Sequence, residues 1–306
     1  MKLIECIPNF SEGRDRQIIH QIVDAIQAIE GVMLLDISSD ADHNRTVMTF
    51  AGTPLVVREA AFQGIATAAR LIDLDQHQGV HPRIGAADVV PFVPLRDASM
   101  SDCVEIARAL GQRVADELQL PVYLYEAAAL TPEKRNLAKL RRDPYERLKT
   151  TIQSDPLRRP DYGPARLTAA GAVAIGAREP LIAFNAYLDT DDVTVAQAVA
   201  VAVRESGGGL PHLKALGLLV DGQAQVSMNV INFRETSLHT ILERVREEAA
   251  KHSATITHTE LVGLVPRAAL IESALEALQL PAQVRDLVLE ARLGAASDDY
   301  SDVNFG

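Results

Sequence analysis

A fold of the α/β class, in its mixed α+β form, is what the sequence predicts: two units, each reading β-α-β-β-α-β. Three observations carry this. Segments with apolar residues at helical spacing alternate with short β-branched runs along the whole chain. The dipeptide Asp221-Gly222 joins two such runs as a tight hairpin. A charged, proline-bearing stretch, Leu130–Tyr162, separates the two series. The order in the second half suits a ferredoxin-like unit, with helices on one face of a mainly antiparallel sheet. The first half has the same order plus one more helix and strand. No residue-level repeat links them.

Leu3–Pro8 reads as the first strand. Asn9–Gly13 is a turn opening a helix, with Ser11 as N-cap and Ile18, Ile19, Ile22, Val23, Ile26 and Ile29 on its apolar face. Gly31 ends that helix. Val32–Ile37 is a strand of the buried type, Ser38–Asn44 a polar loop and Arg45–Ala51 the strand that completes a hairpin. Pro54 starts a helix reaching about Leu71. Gly79–Leu95 holds a loop with His81 and Arg83, followed by an apolar run whose prolines mark a short or edge strand. Ser99 or Ser101 caps a helix with the stripe Val104, Ile106, Ala107, Leu110, Val114 and Leu118, and Pro121 precedes the strand VYLYEA. Leu130–Tyr162 is a short helix and an irregular connection.

Beyond it, Ala172–Ile175 and Leu181–Leu188 are strand material, Asp191–Ser206 is a helix, and Gly207–Gly209 stop it. Leu213–Val220 and Gln223–Phe233 form the hairpin. Ser237–His252 is a helix, Thr255–Val262 a strand, and Pro266–Leu278 and Val284–Leu293 are closing helices.

The 306 residues are enough for a sizeable core. Thirty Lys+Arg against 41 Asp+Glu give a net charge of −11. That balance argues against nucleic acid and anionic membranes as partners, but leaves room for an anionic small molecule held by a few local cations. Two cysteines exclude a disulfide scaffold and fit a reducing cytoplasm. The N-terminus turns polar too soon for a signal peptide, and no apolar run reaches the ~20 residues of a membrane helix.

Imidazole is the side chain best suited to moving protons near neutral pH, and loops beside sheets are where such groups sit. Taken alone, the His81 stretch reads as a loop histidine bonded to backbone. His77 lies four residues earlier, but Gly79 and Pro82 break the helix that would put both on one face, and there is no HExxH pattern, so no metal site is expected. Gly207–Gly209 follow a helix and precede a strand, the reverse of a phosphate-binding loop. Arg45 and Arg83 are the candidates for holding carboxylates, since guanidinium offers a bidentate fork. Neither cysteine nor any serine lies in a nucleophile motif.

Several blocks resemble the formiminotransferase family: ECIPNFSEGRD (Glu5–Asp15), LLDISSDADHNRTVMTFAG (Leu34–Gly52) and GVHPRIGAADVVPFVPL (Gly79–Leu95). PVYLYEAA, PDYGP, LIAFNAYL, AQVSMNV and ELVGLVP extend the likeness in order to about Leu293. The resemblance implies a cytoplasmic homodimer that moves a formimino group from N-formimino-L-glutamate to N5 of tetrahydrofolate, the co-substrate, within histidine degradation and one-carbon metabolism. It implies two ferredoxin-like subdomains with sheets flanking a folate cleft: residues 1–178, residues 179–293, and a mobile tail over 294–306. It also implies a single-activity chain, with ammonia release left to another protein. The alternatives are formyl transfer between N5-formyltetrahydrofolate and glutamate at the same site, and a folate-binding module without catalysis.

Carried over by position, the family's catalytic histidine falls on His81. Its folate-contacting segments fall on Gly163-Pro164-Ala165-Arg166-Leu167-Thr168-Ala169-Ala170-Gly171 and on Gly208-Gly209-Leu210-Pro211-His212-Leu213-Lys214-Ala215-Leu216-Gly217. The second is poorer in basic residues than the family's, offering only Lys214 and His212. Asn9, Asp40, Arg45 and Arg83 are the expected substrate contacts, with Asp36 or Asp40 as a carboxylate for the cationic amidinium. Both substrates are anionic, so affinity is expected to weaken with salt.

Overall fold

The computed structural model describes residues 1–79, 82–289 and 292. They fall into two compact units that divide between Pro180 and Leu181. The 294–306 tail lies outside the described residues.

The first unit runs β1 (Ile4–Cys6), β2 (Asn9–Phe10), α1 (Arg16–Gln27), β3 (Met33–Asp40), β4 (Arg45–Gly52), α2 (Pro54–Leu71), β5 (Ala87–Pro94), α3 (Met100–Leu118), β6 (Val122–Glu126), α4 (Leu137–Leu140), α5 (Tyr145–Thr151) and β7 (Val173–Ala177). β1 and β2 share one lane of the sheet, between β4 and β5, and both pair antiparallel to each. β3 lies outside β4, antiparallel to it, while β7 and β6 extend the sheet beyond β5 in parallel. The core of this sheet is therefore the ferredoxin-like order, widened by two strands.

The first strand is split because Pro8 and, across from its neighbour Ile7, Pro91 have no amide hydrogen. The ladder lapses there, bridged by Ile7 N–H to the Pro91 carbonyl (3.2 Å) and Met48 N–H to the Pro8 carbonyl (3.0 Å). Ser11 does not cap α1. It is buried and donates to the Gly85 carbonyl (2.7 Å), while Asp15 caps the helix by accepting from the Gln17 and Ile18 amides. Ile19, Ile22, Val23 and Ile26 on α1 are buried as their spacing predicts, each contributing roughly 1.5–3 kcal/mol.

Two strands differ from expectation. β3 is not buried: among the described strands only β4 pairs with it, and its alternate residues Met33, Leu35 and Ile37 are exposed on one face. β5 is not an edge: it is central and buried along nearly its whole length. Its prolines are tolerated because Pro91 faces the split lane. The Leu130–Tyr162 connection is also more ordered than its charge suggests. It packs onto the first unit through Leu140, Tyr145, Leu148 and Ile152. Gly176 in β7 is bare backbone for a packing reason: a Cβ there would lie 2.5 Å from the Tyr125 ring.

The second unit runs β8 (Ile182–Leu188), α6 (Val193–Val203), β9 (Leu213–Val220), β10 (Gln223–Val230), α7 (Leu238–Ala250), β11 (Ile256–Val262) and α8 (Arg267–Ala277). Its sheet order is β11-β8-β10-β9, all antiparallel, the ferredoxin-like arrangement. Asp221 and Gly222 both take positive φ, as the tight hairpin turn requires. Asp192 and Ser237 cap α6 and α7. Of the expected helix over 284–293, the described residues show a 3-10 turn, Ala282–Leu287, and then helical backbone at Leu289 and Arg292.

Ile182, Phe184, Ala186 and Leu188 of β8 share the apolar core with α6 and α7. The alternate residues form the other face, where directly opposed partners line up across all four strands. One row is Glu260, Asn185, Ser227 and Leu216; the next is His258, Tyr187, Gln225 and Leu218.

Candidate active site

Asp88 opens β5 and is fully buried, so its carboxylate must be hydrogen-bonded or paired. It is both. Oδ1 accepts from the Ile84 amide (2.8 Å), and Oδ2 pairs with Arg45 Nη1 (3.0 Å) and Arg141 Nη2 (2.9 Å). Arg45 stands at the start of β4 and also donates twice to Asn9 Oδ1, through Nε (3.0 Å) and Nη2 (2.6 Å). Arg141 follows α4 and donates to the Pro82 carbonyl as well. Two guanidiniums thus share one carboxylate oxygen. Burial, opposed by Asp88 and reinforced by Arg141, pushes the Arg45 guanidinium down to about 10, so it stays charged at neutral pH.

The loop before β5 is fastened on both sides of residue 81. Downstream, the Pro82 carbonyl and Ile84 amide are both tied into the Asp88 cluster. Upstream, Asn44 holds it: this buried turn residue has φ 49°, donates to the Gln78 carbonyl (2.9 Å) and accepts from the Gly13 amide (2.8 Å). Asparagine suits such a left-handed turn position. Gly79 passes so close that a Cβ there would lie 2.4 Å from the His43 carbonyl oxygen.

His77 is the second clamp. Arg83 Nε can only donate, so His77 Nδ1 must accept that bond (2.9 Å), leaving Nε2–H for the Asn44 carbonyl (3.1 Å). Both ring nitrogens are thereby committed in the neutral form. Burial lowers the imidazole's pKa, with the Arg83 charge adding to it, against the bond to Asn44. The unfolded chain, near the ordinary pKa of about 6.5, therefore takes up more protons as pH falls, and stability contributed by neutral His77 is lost below that point. His77→Gln keeps one donor and one acceptor without titrating. Its melting temperature should depend less steeply on pH between about 7 and 5 than the wild type's, as differential scanning fluorimetry across that range would reveal.

The expected site residues fall into three groups. Asn9 and Arg45 are brought together, on the Asp88 cluster. Arg83 is buried beside His77 and forks onto Glu146 of α5, with Nη2–Oε1 2.8 Å and Nη1–Oε2 3.1 Å, and it holds that carboxyl below its usual range. Asp40 ends β3 in an exposed turn, accepting from the Asp42 and His43 amides and pairing with His43 Nδ1 (2.9 Å). Burial opposes the effect, but those His43 contacts lower its pKa. Asp36 lies mid-strand in β3, opposite Thr49. His81 lies outside the described residues.

Gly163–Gly171 is divided in use. Gly163, Ala165 and Arg166, with Gln153, Arg159 and Pro160, line an open depression of about 610 Å³. Thr168, Ala169 and Ala170 instead give their carbonyls to the Gly171, Leu74 and Ala86 amides. In Gly208–Gly217, Gly209 and Gly217 make room for the α6 backbone. His212 is paired with Glu235 (2.9 Å), and its amide donates to Glu205 (3.1 Å). Among the described residues no group of three His, Cys, Asp or Glu side chains is placed to hold a metal. No described helix is long and apolar enough to cross a membrane.

Comparison with known proteins adds identity to this geometry. Residues 3–178 match the model of the formiminotransferase domain, N-terminal subdomain, and residues 183–282 match that of the formiminotransferase domain. The chain belongs to the formiminotransferase family. It is 44% identical over 302 residues to a glutamate formimidoyltransferase of Thermoplasma acidophilum, covering 97% of this chain and 99% of that one. It is 43% identical over 282 residues to a protein of the same name from Streptococcus pyogenes, covering 91% and 94%. With the formimidoyltransferase-cyclodeaminase of Mus musculus it shares 42% identity over 282 residues, 89% of this chain and 52% of that one. In this formiminotransferase the sequence reading missed Asp88 and Arg141 as members of the Arg45 cluster. Asp88 left a signal, a lone carboxylate opening an apolar strand. Arg141 left none, being one of many charges in Leu130–Tyr162.

Proposed function

We propose that this chain is a glutamate formimidoyltransferase, moving the formimino group from N-formimino-L-glutamate to N5 of tetrahydrofolate. The observation that carries the reading furthest is the Arg45–Asp88–Arg141 cluster. It gathers two guanidiniums and binds to Pro82 and Ile84, just past His81 in the chain, and the donor brings carboxylates. Guanidinium forks give a carboxylate orientation as well as charge.

In the reaction, N5 attacks the amidine carbon and must lose a proton, and the departing glutamate nitrogen must gain one. His81 takes the first proton and delivers the second, a role worth ~10²–10⁴-fold. Asn9 and Arg45 orient the donor, and Arg83 acts through His77 and Glu146 to hold the loop in place. Arg159 and Arg166, beside Gly163 and Ala165, offer charge for the folate's glutamate, whereas His212 is already matched by Glu235. We place the protein in the cytoplasm, in keeping with two buried free thiols, Cys6 and Cys103, and as a homodimer on family grounds.

A spectrophotometric assay with tetrahydrofolate and formiminoglutamate, run with and without an added cyclodeaminase, tests the reading. Product that the cyclodeaminase converts is the expected result. Turnover of N5-formyltetrahydrofolate with glutamate, and none of the formimino donor, would reassign the substrate. Gly79→Ala probes the loop directly. A methyl group against the His43 carbonyl must displace the backbone two residues before His81, so kcat is expected to fall roughly tenfold to a hundredfold. The accompanying loss of stability should be only ~1–3 kcal/mol, which a thermal melt would separate from the kinetic loss.

A further inference from the structure

The face of the second sheet opposite α6 and α7 carries a carboxylate that is supported like a recognition group. Glu260 Oε2 accepts from Asn185 Nδ2 (3.1 Å) and from the Tyr187 hydroxyl (3.2 Å). Gln225 lies directly opposite Tyr187 on β10, and the His258 ring stacks on Tyr187 with centroids 4.3 Å apart and planes 9° from parallel. Asn185 is 7% exposed and Gln225 4%, so both amides are buried on the face opposite the α6–α7 core. A solvated glutamate on an outer strand needs no such backing. Here one carboxylate oxygen is fixed by two donors while Glu260 itself remains exposed. Leu216, in one of the segments that the family resemblance implies for folate, lies in the same cross-strand row.

We propose that Glu260, positioned by Asn185 and Tyr187, receives the 2-amino-4-oxo edge of the pteridine ring. This deepens, and rests on, the transferase reading above. That edge presents N3–H and the 2-amino group as two adjacent donors, and Glu260 Oε1, to which neither Asn185 nor Tyr187 donates, keeps its acceptor sites for them. The Tyr187–His258 stack supplies an aromatic surface beside it, suited to the flat face of the same ring.

The test is titration calorimetry of the full chain with 5-formyltetrahydrofolate, alongside steady-state kinetics, for the wild type, Glu260→Gln and Tyr187→Phe. Glu260→Gln puts an N–H donor where an acceptor is needed, and is expected to weaken folate binding roughly ten- to hundredfold. KM for tetrahydrofolate should rise while KM for formiminoglutamate holds. Tyr187→Phe keeps the ring and the stack, and is expected to weaken binding roughly two- to tenfold. A folate analogue with hydrogen in place of the 2-amino group should bind the wild type and Glu260→Gln nearly alike. Equal folate affinity in the wild type and Glu260→Gln, or a rise in KM for formiminoglutamate alone, overturns the assignment and leaves the transferase reading standing. A wild type that binds no folate overturns both.

Discussion

His81→Ala should lose formimino transfer by ~10²–10⁴-fold while keeping its melting temperature and its folate affinity. The separation follows from where the chain is anchored. The loop is held by Asn44 and His77 on one side and by the Asp88 cluster on the other, through bonds to Gln78, Arg83, Pro82 and Ile84. His77 cannot stand in for the missing base, because both its ring nitrogens are already bonded and its pKa is lowered. The decisive measurement is single-turnover transfer at saturating tetrahydrofolate, with the melt and a folate titration as controls. A residual rate within about tenfold of the wild type, short of the usual general acid–base contribution, would remove His81 from the proton-transfer role.

Asp88→Ala is the change with the largest expected effect on stability. It leaves Arg45 and Arg141, both mostly buried, facing each other with no carboxylate between them. Removing one partner of a buried charge group in this way typically costs ~3–5 kcal/mol. The Ile84 amide also loses its acceptor, so the loop's exit loosens along with the cluster. Denaturant unfolding should therefore show a lower midpoint for the first unit, and transfer activity should fall even where the protein stays folded. Asp88→Asn retains an acceptor for Ile84 and should recover part of the stability but little of the activity. A midpoint unchanged in Asp88→Ala would mean that the two arginines are compensated elsewhere.

Much of the fold was legible because the second unit obeys local rules. Asp221-Gly222, the α6 and α7 caps and the apolar spacing of those helices all point the same way. The first unit was harder wherever tertiary pairing overrode a local signal. The prolines of β5 argued for an edge, and only the facing gap at Ile7-Pro8 lets that strand sit at the centre. Ser11 looked like a cap, but close packing against Gly85 claimed its hydroxyl. For the site, the nearness of Asn9 to Arg45 is a matter of two strands meeting in register, which no spacing along the chain reports. Arg141 is a harder case still: it reaches Asp88 from a segment whose composition reads as a solvated connection.

The paired prolines at the centre of the first sheet have one more consequence. Where β1 gives way to β2, neither Pro8 nor Pro91 brings a hydrogen that would be left stranded by the lapse in pairing. The lane can therefore pivot in mid-span without orphaning a donor in the interior. Asn9 is the first residue past that pivot, so the hinge that interrupts the ladder is also what aims its amide oxygen at Arg45.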